Sequence, residues 1–389
     1  MYLLILQQYK RSNSKAMTDF AKEPLLLTPG PLTTSRTVKE AMSRDWGARD
    51  ALFIEMTSRV RRAFEKISGV EVDGGSHTCI PIQGSGTFAV EAAITSFVPR
   101  NGKVLVLVNG AYGRRICRIC NYHNRTFTSY ETGENVIPSP DDLMSLLEAD
   151  AEITDVIAVH CETTSGILNP IEEIAEVVTK AKCRFIVDAM STFGAVKLDV
   201  KDTPCSAVIA SSNKCLEGVP GLGFVLVEKE ILESSEGISN SLSLDLYDQW
   251  INLENTGQWR FTPPTHVLAA FDQALLEHEA EGGVRGRYAR YQKNYQVLVD
   301  GMRALGFRTY LPDHLQAPII ITFYAPTHER FSFDQFYDSL KIRGFAIYPG
   351  KLTEIDTFRI GCIGRLDEGD MTAVVSSVRE VISEMGVTL

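Results

Sequence analysis

The sequence predicts an α/β protein, with a large domain on an open, mostly parallel sheet and a smaller α+β domain after it. Three observations predict it. From about residue 78 to 228, short apolar runs alternate with amphipathic stretches, the order of parallel strands joined by crossover helices. The runs are β-branched and mostly continuous, as strands covered on both faces are. The chain's 389 residues also exceed what one hydrophobic core usually serves.

The elements follow in chain order. Residues 1–22 read as a disordered extension, in which Met17 offers an alternative start. Its apolar Met1–Leu6 precedes Lys10 and Arg11, the reverse of a secretory signal. Residues 23–280 are assigned to the large domain. Its strands are expected at Thr78–Ile82, Lys103–Val108, Arg125–Tyr130, Asp155–His160, Arg184–Val187, Ala207–Ala210 and Gly223–Val227. Helical periodicity covers Gly86–Phe97, Ser139–Ala149 and Pro170–Ala181, the second opening on a Ser-Pro-Asp-Asp start signal. A further helical stretch spans about His266–Glu281. Residues 281–389 form the small domain, with helices at Arg287–Leu305 and Phe333–Ile342 and strands at Ala317–Phe323 and Thr357–Gly361.

Composition narrows the function. With 39 Lys+Arg against 49 Asp+Glu, the net charge of −10 argues against a nucleic-acid or anionic-membrane surface. No segment approaches the roughly 20 apolar residues of a membrane span. Eight cysteines are too sparse for a disulfide framework, so a reduced, cytoplasmic protein is expected. Cys117-Arg118-Ile119-Cys120 has redox-motif spacing but lies in a helical stretch without a second pair, and the histidines show no metal-ligand spacing.

The chemistry gathers at strand ends, where ligands sit in such sheets. Asp188 ends one strand and Lys214 follows another. Alone, each has an ordinary alternative, a turn cap for Asp188 and a surface loop for Lys214. Gln83-Gly84-Ser85-Gly86-Thr87 joins a strand to a helix, a turn that suits a phosphate at a helix N-terminus. It lacks the third glycine of a dinucleotide fingerprint. A phosphate turn, an acid and an amine at the ends of one sheet's strands fit pyridoxal phosphate, which needs a Lys for its aldehyde and an acid for its ring nitrogen.

The Asp188…Lys214 spacing, Gly84-Ser85-Gly86-Thr87 and Arg359-Ile360-Gly361 resemble the fold-type I, class V aminotransferases from about Leu25 to the C-terminus. Leu27–Ser35, Asp45–Asp50 and Ser212–Gly221 are similar to the branch of that class acting on 2-aminoethylphosphonate and pyruvate. The resemblance implies pyridoxal 5'-phosphate as cofactor, attached to Lys214 and paired at its ring nitrogen with Asp188. Ser85, Gly86 and Thr87 would hold its phosphate, Tyr112 would stack on its ring, and Thr163 or Thr164 would bond the ring hydroxyl. Thr262 would reach the phosphate of a neighbouring subunit, implying a homodimer with shared sites. Arg359 would grip the substrate carboxylate. Segment 23–50 would contribute to the active site, with Arg49 a second cation for the phosphonate or a partner of Asp45 or Asp50. Within the same fold, an alanine/serine–glyoxylate aminotransferase or a cysteine desulfurase-like lyase are the alternative activities.

Overall fold

The computed structural model describes residues 23–71, 74–350, 352 and 355–389. The expected extension over 1–22, Met17 included, lies outside the described residues.

Seven strands form the large sheet: β1 (His77–Gln83), β2 (Lys103–Val108), β3 (Thr126–Glu131), β4 (Ile153–Val159), β5 (Arg184–Asp188), β6 (Ala207–Ser211) and β7 (Leu222–Glu228). Their order across the sheet is β1-β7-β6-β5-β4-β2-β3. Only β7 runs against its neighbours, β1 and β6. Each expected strand is present, within a few residues of its expected ends.

The continuous apolar runs have a simple cause. Successive side chains of a strand point to opposite faces, and both faces are covered. Leu105, Leu107, Val156, Ala158, Phe185, Val187, Val208 and Ala210 pack into one core, with helices Ala51–Ile67, Ile171–Lys180 and Thr265–Ala280. Their alternates Val104, Val106, Ile157, Val159, Ile186 and Ile209 pack into a second core, with Gly86–Phe97 and Ala111–Tyr122. β3 departs from the pattern because it is an edge strand, half exposed along its length. Arg125, expected within it, lies just outside and is buried, donating to the Thr95 carbonyl at 2.9 Å.

The C-terminal part holds a third core around an antiparallel sheet of β8 (Ile320–Tyr324), β9 (Tyr348–Pro349) and β10 (Thr357–Gly361). The Arg287–Leu305 expectation becomes a longer helix, Gly283–Ala304. Helix Glu368–Glu384, closed by an Asp367–Asp370 capping box, is not among the expected elements.

The N-terminal segment touches both units. Leu25–Leu26 pairs in parallel with Phe345–Ala346, Gly361 N–H donates to Leu27 O at 2.9 Å, and Leu27 is buried in the third core. The first described residues therefore pack with the C-terminal unit, while the carbonyls of Pro29 and Gly30 meet Lys214 of the large one.

A buried ion cluster ties the two units. Arg287 is 1% exposed; its Nε meets Glu281 at 2.6 Å and its Nη1 donates to the Cys215 carbonyl. Arg290 bonds Glu281 at 2.6 Å and Glu217 at 2.7 Å, and the Tyr291 hydroxyl donates to Glu217 at 2.6 Å. Burial raises the Glu281 carboxyl, but the bonds from Arg290 and Arg287 outweigh it and hold it down at about 2. Removing one member leaves buried charges uncompensated, a loss of about 3–5 kcal/mol. Arg287→Ala is therefore expected to lower unfolding stability by about that amount, read from urea denaturation; a change under about 1 kcal/mol would contradict the cluster's role.

Candidate active site

The strand register lines up the carboxyl ends of four strands. Gln83 pairs with Leu222, Ser211 with Gly223, Ile209 with Asp188, and Asp188 with Val159. A cavity opens at this edge, and Ser85, Thr87, Tyr112, Asp188, Ser211 and Lys214 are among the residues lining it. The sheet thus brings together residues up to 130 positions apart.

Lys214 stands in the turn between β6 and β7. Its Nζ donates to the carbonyl oxygens of Pro29 at 2.9 Å and Gly30 at 3.2 Å. Gly30 has a φ of +119°, and a Cβ there would come within 2.5 Å of Lys214 Cδ. Both the backbone and the contact require glycine. The strap from the C-terminal unit therefore solvates the lysine amine.

Asp188 is 5% exposed. Burial raises its carboxyl to about 6, opposed by the Met190 N–H, raised further by Glu162, and lowered by Arg115 and Lys214. The Met190 N–H donates to Oδ1 at 3.0 Å. A turn cap is present here, but it satisfies one oxygen of a carboxylate aimed at a ligand cavity.

Tyr112 is set by a group the sequence reading passes over, Glu162. This fully buried carboxylate accepts from the N–H groups of Tyr112 at 2.9 Å and Gly113 at 3.3 Å, and from Thr164 N–H and Oγ1. It caps helix Ala111–Tyr122, where the helix dipole favours an anion. A Cβ on Gly110 would come within 2.3 Å of Glu162 Cγ, so the glycine there makes room for the acid.

The same turn holds the two threonines differently. Thr164 Oγ1 donates to Glu162 at 2.6 Å and accepts from Ala111 N–H at 2.9 Å, so its hydroxyl is committed. Thr163 gives its carbonyl to Arg359 Nη1 at 2.8 Å and keeps its hydroxyl uncommitted among the described residues. Arg359 is 5% exposed, also donates from Nε to Pro349 O at 3.0 Å, and forms no ion pair among the described residues.

Five expected residues do not line the cavity: Thr163, Thr164 and Arg359, which are buried, and Arg49 and Thr262, which are exposed. Thr262 is expected at a neighbouring subunit's site. Arg49 pairs with neither Asp45 nor Asp50; Asp45 instead meets His266 at 3.0 Å. Arg49 belongs to the loop ahead of helix Ala51–Ile67.

Residues 42–352 match the model of the class-V aminotransferase family. The chain belongs to the class-V aminotransferases. It is 52% identical over 364 residues to the 2-aminoethylphosphonate–pyruvate transaminase of Pseudomonas entomophila strain L48, covering 94% of this chain and 98% of that one. To the protein of the same name from Pseudomonas aeruginosa strain UCBPP-PA14 it is 52% identical over 371 residues, covering 95% and 99%. Among solved structures it resembles ureidoglycine–glyoxylate aminotransferase from Bacillus subtilis, with TM-score 0.86, 20% identity and 94% and 95% covered. It also resembles alanine–glyoxylate aminotransferase from Nostoc sp., with TM-score 0.86, 21% identity and 93% and 96% covered. These share the fold.

The cofactor of this class-V aminotransferase is pyridoxal 5'-phosphate, and the residues present fit it. Ser211 is 2% exposed, yet its Oγ, in the cavity, has no partner among the described residues. A Cβ on Gly86 would meet Met190 Sδ at 2.3 Å, so glycine lets the Met190 side chain pack against this turn. A carboxyl raised by burial gains most from a protonated ring nitrogen beside it.

The eight cysteines are free. Burial pushes the thiols of Cys117 to about 11 and Cys120 and Cys215 to about 12, which disfavours reactive thiolates. His160 is buried, bonds Thr192 Oγ1 at 2.9 Å and is held down at about 4 by burial, a neutral core residue. Among the described residues no metal-binding cluster occurs.

Two outcomes are expected. A carboxyl raised in the fold binds more protons there than unfolded, so its ionisation destabilises the cofactor-free protein as pH rises from about 4 to about 6. Asp188→Asn should stabilise that form at pH 7.5 by on the order of 2 kcal/mol and gain little at pH 4, measured by chemical denaturation; equal effects at both pH values would contradict the shift. Gly30→Ala should cost about 2 kcal/mol or more and weaken the lysine-bound cofactor absorbance; an unchanged spectrum would contradict the strap's contact.

Proposed function

We propose that the protein transfers the amino group of 2-aminoethylphosphonate to pyruvate, giving phosphonoacetaldehyde and L-alanine in two half-reactions at one site. The observation that carries this reading is the 52% identity to relatives of that name over 94% of the chain. The cavity supports it with an amine and an acid on separate elements, and Arg359 adds a buried guanidinium on β10.

When bound, pyridoxal 5'-phosphate supplies an aldehyde that takes up amines and a protonated ring that withdraws electrons from the amine-bearing carbon. Asp188 keeps the proton at the ring nitrogen, because a desolvated carboxylate gains from an adjacent positive charge. Lys214 Nζ, once released, moves the proton at the substrate carbon as general base and then acid. The carbonyl oxygens of Pro29 and Gly30 hold that amine at the sheet edge. Tyr112, fixed through its N–H by Glu162, covers the ring and keeps water from one face. Arg359, with its Nε and Nη1 on backbone carbonyls, keeps a guanidinium edge for the phosphonate of the donor and the carboxylate of the acceptor in turn. Thr163 is the better placed of the two threonines for the ring hydroxyl.

The exposed Thr262 and Arg49 suit a homodimer in which each subunit completes the other's site. Among the described residues no helix is long and apolar enough to cross a membrane, and the eight free cysteines suit the reduced cytoplasm. The lyase alternative lacks a reactive thiol in the cavity, where Cys161 is buried with its thiol pushed well above its usual range.

The test is a half-reaction. Added alone, 2-aminoethylphosphonate should convert the cofactor's absorbance to that of its aminated form, and pyruvate should restore it. Conversion by serine or alanine but not by the phosphonate would favour the glyoxylate-type alternative. Lys214→Ala should lower turnover by at least about 10³-fold; normal turnover would overturn the mechanism.

A further inference from the structure

One charged side chain in the cavity has no task in the mechanism above. Arg115 lines the cavity with Lys214 and Asp188 and is half-buried. Its Nη1 donates to Thr87 Oγ1 at 3.0 Å. Its guanidinium carbon lies 4.7 Å from the centroid of the Tyr112 ring. It pairs with no carboxylate among the described residues, whereas neighbouring Arg114 reaches Glu134 at 3.6 Å. In a chain with ten more acids than bases (49 − 39), a guanidinium in a ligand cavity without an acid is a place for an incoming anion.

Neutral donors converge on the same cavity. Thr87 accepts from Arg115 and so turns its own proton outward. Ser85 stands at the start of helix Gly86–Phe97 with its side chain unused as a cap. The buried Ser211 Oγ lacks a partner among the described residues. A helix N-terminus contributes roughly half a positive charge, whereas a phosphate monoester carries about −1.5 to −2 near neutral pH. The helix and hydroxyls orient the group but leave most of its charge unmatched.

We propose that Arg115 is the counter-cation of the cofactor phosphate, acting through space and through the Thr87 hydroxyl. The same side chain lies over Tyr112, so phosphate and ring-stacking residue share one support. This rests on the pyridoxal 5'-phosphate reading of the cavity.

The test compares two ligands on cofactor-free protein. Pyridoxal 5'-phosphate and pyridoxal, which lacks the phosphate, are titrated by fluorescence into wild type, Arg115→Gln and Arg115→Lys, with circular dichroism to check folding. Arg115→Gln should weaken the phosphorylated ligand roughly 10- to 100-fold and pyridoxal by less than about 2-fold. Arg115→Lys should recover part of the loss, because it restores charge without the planar fork. Equal weakening of both ligands would place Arg115 in support of Tyr112 alone and overturn the proposal, as would no weakening of either. If Arg115→Gln does not fold, Thr87→Val, which removes only the hydroxyl bridge, should show a smaller phosphate-selective loss; no selectivity there would overturn the proposal. Failure of wild type to bind pyridoxal 5'-phosphate would instead overturn the cofactor reading itself.

Discussion

The structure depends on the backbone acceptors that hold a lysine amine at a sheet edge. At the end of a sheet buried on both faces, Lys214 Nζ needs acceptors that are not counter-charges, since a carboxylate paired to it would compete with the reaction. The carbonyls of Pro29 and Gly30 supply them. Everything around the site follows from that strap. It must pass close, which excludes a side chain at residue 30. It must also be anchored on something other than the sheet, and it pairs with Phe345–Ala346 and Gly361 of the C-terminal unit.

Arg359 lies on β10, the strand that ends at that anchor. Arg359 and the carbonyls beside Lys214 are therefore joined through the end of one strand. The Arg287–Arg290–Glu217–Glu281 cluster fixes the same relation from the other side. Glu217, three residues after Lys214, takes a φ of +57°, and its carboxylate is bonded to Arg290 and Tyr291. A non-glycine residue holds that conformation at a cost of about 1–3 kcal/mol, which these bonds offset. Breaking this joint would detach the small unit from the turn that carries the amine.

Much of this was legible in the residues. The seven strands were readable because two-sided burial writes itself as unbroken apolar runs, and Asp188 and Lys214 because strand ends are where such sheets bind ligands. The strap was not readable as part of the C-terminal unit. Its pairing spans more than 300 residues, and two leucines say nothing about which sheet they join. Glu162 and Arg115 were missed for a related reason. Glu162 sits in a Thr/Ser-rich turn whose meaning appears only when Gly110 is packed against it. Arg115 carries no motif of its own, although its place three residues after Tyr112 puts both on one helix face.

The parallel pairing of Leu25–Leu26 with Phe345–Ala346 has a consequence for the order of assembly. On the ribosome the strap is made first, but its partners are made last, after the whole large sheet has emerged. Domains tend to fold as units while synthesis proceeds, so the large sheet can form with its lysine turn still lacking the carbonyls that seat the amine. Closing so long a loop adds little entropy cost per added residue, yet it waits for the final hundred residues. The reactive amine is thus the last part of the molecule to be put in place, and a nascent chain cut short before Phe345 would carry a sheet without a working centre.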